Sequence, residues 1–178
     1  VFGETKADDG MELPLNLSYF AYDPKDLPSN DKIIADAKEM VKTLEALRVA
    51  PMVDPYTGPA LLSGPASGVF FHEIFGHRVE GQRMKSESDG QTFKKMVGEY
   101  VLPADMHVYD DPTIREYAGE DLNGFYKYDD QGVKAERVDV VVNGKLNEFL
   151  MTRTPIDGHP RSNGHARAMG GFDPVSRQ

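Results

Sequence analysis

The sequence predicts an α+β fold with a mainly antiparallel sheet, and three stretches carry that prediction. "DKIIADAKEMVKTLEALRVA" repeats apolar residues at steps of three and four, the period of an amphipathic helix. "VDVVVNGKLNEFL" alternates valines up to Asn143-Gly144, the pair favoured in a type I′ hairpin turn. At the start of the chain, "VFGETKA" and "MELPLNLSYFAY" flank the turn signal "DDG", which reads as a second hairpin.

Taken in order, the first hairpin has an irregular second strand, because Pro14 cannot donate to a ladder and suits an edge. The polar loop "DPKDLPSN" ends at Ser29, Asn30 and Asp31, all good helix caps. In the N-terminal amphipathic helix the apolar face comprises Ile33, Ala37, Met40, Val41, Leu44 and Leu47, and Pro51 closes it. "DPYTGP" is a connector and marks a boundary, with residues 1–50 forming the end of an N-terminal α/β region. "ALLSGPASG" reads as a short strand and a Gly/Pro turn leading into a helix that carries His72, packed through Phe70, Phe71, Ile74, Phe75 and Val79. The polar run from Gln82 to Glu99 is expected to be a mobile excursion. Strand-like alternation surrounds Met106 to Tyr109, and the valine hairpin follows. The Gly- and Pro-rich tail "TPIDGHPRSNGHARAMGGFDP" reads as a long loop.

Composition narrows the function. The 29 acidic and 20 basic residues leave a formal charge of -9, which argues against nucleic acid and against an anionic membrane surface as partners. Mean hydropathy of -0.50 and the lack of a long apolar run fit a soluble chain. With no cysteine, any metal held by these residues must be bound through His and carboxylates. The chain starts at Val1 rather than Met, so it is expected to be a piece of a longer protein. A cytoplasmic location is favoured, with room for an export signal ahead of Val1.

The chemistry concentrates in "FFHEIFGHRVEG". Zinc-protease helices carry H-E-x-x-H, which sets two histidines on one helix face with a Glu beside the water that zinc acidifies to a pKa near ~7. Here His72-Glu73 is followed by His77, one residue later than that motif requires. On a regular helix the two imidazoles would stand roughly 140° apart and could not share an ion. A π-bulge or a break at Gly76 repairs the spacing. The competing reading is ordinary: two histidines and a glutamate on a half-buried helix, hydrogen-bonded and without metal.

"SGVFFHEIFGHRVEG" resembles the metal-binding helix of the TldD/PmbA family of zinc metalloproteases, in the branch that retains H-E-x-x-x-H followed by an E-G pair, here Glu80-Gly81. "VYDDPT" and "YKYDDQGVKAERVDVVVNGKLNEFLMTR" are similar to later family segments in the same order. The resemblance implies that residues 51–178 are the first part of a metalloprotease-like catalytic domain, with zinc on His72 and His77 and Glu73 as general base. It also implies a peptidase for unfolded or extended peptides, working as a homodimer or with an inactive sibling. The family's third ligand, a cysteine toward the C-terminus, has no counterpart in this chain. Glu80 is therefore the first local candidate for a third ligand or a supporting partner, followed by His165 and, equally, His159. The substrate-binding surface has no assigned residues, although the polar stretch 82–98 is a candidate part of the substrate entrance and Arg161 and Arg167 are candidate partners of a peptide carboxylate or backbone. Asp110-Asp111 and Asp129-Asp130 lie in turn contexts, where Asp hydrogen-bonds its own backbone.

Two non-catalytic readings stay open. One is an assembly or peptide-binding partner domain that keeps the family's shape. The other is a peptide-recognition module attached to a catalytic domain elsewhere.

Overall fold

A computed structural model describes residues 1–177. Along the chain run β1 (Phe2–Lys6), β2 (Glu12–Asn16), α1 (Asn30–Arg48), α2 (Gly64–Ile74), β3 (Val108–Asp110), β4 (Glu116–Tyr117), β5 (Glu120–Asp121), β6 (Val138–Val142), β7 (Lys145–Leu146), β8 (Ala166–Arg167) and β9 (Val175–Ser176). Two helices and antiparallel strand pairs give the mixed α+β class that the sequence predicts. Among the described residues no helix is long and apolar enough to cross a membrane.

The chain divides into two units, one made of residues 1–60 with 116–123, the other of residues 61–115 with 124–177. In the first unit β1 and β2 form the hairpin in the register Glu4 opposite Pro14. Helix α1 starts where Ser29 accepts a hydrogen bond from the Lys32 N–H at 3.3 Å, an N-cap of the ordinary kind. Its buried residues are only Met40 and Leu44, while Val41 and Leu47 stay exposed, so the contact stripe is narrower than the sequence implies. The β4–β5 hairpin returns to this unit, and Asp121 accepts from the Tyr22 N–H at 3.0 Å.

The second unit is built on a three-stranded sheet in the order β3-β6-β7. Asn143 and Gly144 both have positive φ (50° and 77°), the geometry of a type I′ turn between β6 and β7. A Cβ on Gly144 would lie 2.6 Å from the Pro103 carbonyl oxygen, so glycine is needed there twice over. The valine alternation breaks at Val141, which is buried beside Val140 while Val142 is exposed. A register shift between β3 and β6 accounts for this, since Val108 faces Val141 but Tyr109 faces Asp139. The core joins Val138, Val140, Val141, Leu146, Phe149, Leu150 and Met151 to Phe75, Val79, Met84 and Phe93.

Four local expectations change. Residues 60–63 form no strand, and α2 begins directly at Gly64 with a proline in its first turn. Phe70 and Ile74 are exposed, so the buried side of this segment is carried by Phe75 and Val79 with Phe71 half-buried. The run after Gly81 is anchored rather than free: Met84 and Phe93 enter the core, and the Gln91 amide donates to the Met84 and Ser86 carbonyls at 3.2 and 2.7 Å. The tail contains the short β8–β9 pair, with Ala166 opposite Ser176.

Candidate metal centre

Helix α2 does not continue through the H-E-x-x-x-H segment. It ends at Ile74, Phe75 leaves helical geometry (φ −123°, ψ −52°), and Gly76–Val79 forms a 3-10 turn. Burial of Phe75 in the core and of Gly76 beside it fixes where this break falls. The interruption is therefore a helix end one residue before Gly76, not a π-bulge. Its effect is to swing His77 back toward His72, and the two ring centroids lie 4.4 Å apart at an interplanar angle of 71°.

Glu73 stands between them. Its carboxylate oxygens lie 3.8 Å from His72 Nε2 and 3.7 Å from His77 Nε2. One donor atom from each of His72, Glu73 and His77 falls within 4.8 Å of the other two, and both histidines are half-buried while Glu73 faces solvent. Two converging imidazole nitrogens are donors that zinc accepts, and a carboxylate beside them suits a proton acceptor, so the residues present fit part of a site for a divalent ion of that kind.

Behind His77 lies a buried carboxylate. Glu80 is wholly buried, and its Oε2 is 3.2 Å from His77 Nδ1 and 2.5 Å from Arg83 Nε. Its Oε1 is 3.3 Å from Arg177 Nη1. A buried carboxylate needs such compensation, since its desolvation otherwise costs several kcal/mol, on the order of the loss of a buried ion pair. Both Glu80 oxygens are thus engaged from the protein side. Arg83 Nη2 also approaches His77 Nδ1 at 3.2 Å. When Nε2 gives its lone pair to a metal, the ring proton must sit on Nδ1, and Glu80 rather than Arg83 is then its partner.

The E-G pair has a steric reason. The Gly81 N–H donates to the Leu150 carbonyl at 2.9 Å, and the Leu150 N–H donates to the Val79 carbonyl at 2.9 Å. A Cβ on Gly81 would sit 2.9 Å from that Leu150 oxygen and would collide with the Met151 sulfur. Only glycine lets the chain after Glu80 lie this close to residues 149–151.

The other sequence candidates fall elsewhere. His165 is wholly buried, with Nε2 3.1 Å from Asp110 and Nδ1 3.0 Å from the Asn163 carbonyl, so both ring nitrogens are already partnered. His159 pairs with Glu148 and packs edge-on against Phe149 at 5.2 Å. The Asp129 carboxylate accepts from the Gln131, Val133 and Ala166 N–H groups, and Asp111 accepts from Thr113, as turn aspartates do. Arg167 stacks on Tyr126 at 4.5 Å and reaches Asp130. Arg83 could have been read from its i,i+3 spacing to Glu80. Arg177 carries no local signal, because its partner Glu80 is distant in sequence.

Comparison with known proteins gives a consistent picture. Residues 55–177 match the family described as the PmbA/TldA metallopeptidase C-terminal domain. A protein of Archaeoglobus fulgidus named "Metalloprotease" is 31% identical over 147 residues, covering 83% of this chain and 33% of that protein. "Metalloprotease MJ0996" of Methanocaldococcus jannaschii is 33% identical over 112 residues, 61% of this chain and 23% of its own length. The "Zinc metalloprotease TldD homolog" of Saccharolobus solfataricus is 30% identical over 113 residues, again with 23% of its length covered. The chain thus spans a third or less of these relatives.

Proposed function

Because the chain belongs to the TldD/PmbA metallopeptidase family, we propose that it carries the zinc-binding and proton-transfer residues of a peptide hydrolase. The observation that supports this reading most is the convergence of His72, Glu73 and His77 at a broken helix end. In this reading the His72 and His77 imidazoles hold zinc, while a further ligand comes from outside these residues. Zinc, when bound, polarises a peptide carbonyl and acidifies water.

The chain's own groups do the rest. Glu73, with its side chain open to solvent, takes the proton from the attacking water and passes it to the leaving amine. His77 is kept in one orientation by Glu80, which is itself fixed by Arg83 and Arg177. The substrate is an unfolded or extended peptide, and the whole protein pairs with a second copy or a related sibling chain. Light scattering on the purified whole protein tests the pairing, and a monomer at micromolar concentration would remove it.

Glu73→Gln in the whole protein tests the mechanism. Peptidase activity should fall at least a hundredfold, the scale of a lost general base, with zinc content and fold unchanged. Full activity in that variant would eliminate Glu73 as the base and favour a non-catalytic binding or assembly role for these residues.

A further inference from the structure

The polar run after Gly81 forms one wall of a pocket of about 410 Å³ in the second unit. Pockets for small-molecule ligands commonly span roughly 300 to 1,000 Å³. The apolar lining comes from Met84, Phe149 and Ile156, of which Met84 and Phe149 belong to the core and Ile156 is half-buried. Around it stand Lys85, Lys94 and Lys95, against a single acidic residue, Asp157. Lys94 donates to the neutral Gln91 side chain at 3.1 Å. Among the described residues, Lys85 and Lys95 engage no side-chain partner.

This local excess of positive charge runs against the formal charge of -9 for the chain. Lysines scattered on an acidic protein would each be expected to lie near a carboxylate. Three gathered around an apolar floor with one aspartate give this pocket a charge and lining complementary to an anion that carries an apolar body. The pocket also shares chain with the metal centre. Lys85 ends the 3-10 turn Gly81–Lys85 that begins directly after Glu80, and Phe149 precedes Leu150, which pairs with Glu80.

We infer that this pocket is a substrate subsite for an acidic residue adjoining an apolar one in an extended peptide. The apolar side chain lies against Pro155 and Ile156, above the buried Met84 and Phe149, and the acidic one faces the three ammonium groups. The identity of the ligand as a substrate rests on the peptidase reading, whereas the pocket's preference for acidic peptides does not.

The test uses the whole protein and two fluorescein-labelled octapeptides that differ only in an Asp-Leu or a Lys-Leu pair. Anisotropy should show about tenfold tighter binding of the Asp-Leu peptide, a difference of the size a few exposed charges produce. Salt at 0.5 M should erase most of it. Lys94→Glu/Lys95→Glu should abolish or reverse the preference, and Lys85→Ala should reduce it about threefold, with circular dichroism unchanged because all three lysines are exposed. Equal binding of both peptides, or a preference that survives both variants, overturns the subsite. The two readings fail separately. Selective, lysine-dependent binding without hydrolysis removes the peptidase and keeps the pocket. Hydrolysis of both peptides at equal rates without lysine dependence removes the pocket and keeps the peptidase.

Discussion

Nδ1 of His77 lies 3.2 Å from Oε2 of Glu80, a carboxylate with no solvent exposure. The imidazole cannot turn without leaving that oxygen, so Nε2 stays directed toward Glu73 at 3.7 Å. Carboxylates in this position fix the tautomer and raise the basicity of a metal-ligating histidine. Glu80→Gln preserves the shape and removes the charge. Zinc affinity, measured by competition with a chelating dye, should fall about 10- to 100-fold, the usual range for such partners. Thermal stability should fall as well, because Arg83 and Arg177 lose their shared counter-ion. A folded Glu80→Gln variant that binds zinc as the parent does would remove the orienting role and leave Glu80 a structural residue.

Gly81 makes a second, steric prediction. Adding one methyl group places a carbon 2.9 Å from the Leu150 oxygen and against the Met151 sulfur. Overpacking of this kind costs about 1–3 kcal/mol. Gly81→Ala should therefore lower the unfolding free energy by that amount, read as an earlier denaturant midpoint at unchanged slope, and loosen the Glu80–Leu150 bridge. Unchanged stability would show that residues 149–151 move aside freely.

Tyr126 predicts a pH effect of defined sign. Burial, followed by the nearby Asp110 carboxylate, pushes its phenol well above the ordinary range, and its hydroxyl donates to the Gly164 carbonyl at 2.9 Å. A group whose folded pKa is raised contributes fully below its unfolded value, about 10 for tyrosine, and loses that contribution as pH rises through the folded value. Chemical denaturation at pH 7 and pH 11 should show a loss of stability for the parent protein that shrinks in Tyr126→Phe. That variant is also slightly weaker at pH 7, by about 0.5–1.5 kcal/mol for the missing hydrogen bond. An equal loss in both proteins would mean that the phenol ionises without resistance from the fold.

The sequence carried the fold class because helix and hairpin periods are local properties. Ser29 as a cap and Asn143-Gly144 as a turn act within four residues, and both appear where the pattern places them. The spacing of His72 and His77 posed the right question and left a bulge and a break at Gly76 as equal answers; the helix end at Ile74 is decided by tertiary packing, which the spacing does not encode. Glu80 was visible as a carboxylate one turn beyond His77. Its solvent-free setting was not, because Arg177 stands 97 residues further on. The return of residues 116–123 to the first unit and the two-residue strands β8 and β9 are likewise tertiary outcomes, too short to leave a period. The shift at Val141 shows the same limit, since strand alternation reads straight through a bulge.

Joint zinc binding by His72 and His77 is tested most directly by metal analysis of the whole protein. The parent protein should carry zinc in proportion to chain, and His72→Ala and His77→Ala should each lose most of it while remaining folded. Equal zinc content in the parent and both variants would contradict joint binding and place any metal chemistry outside these residues.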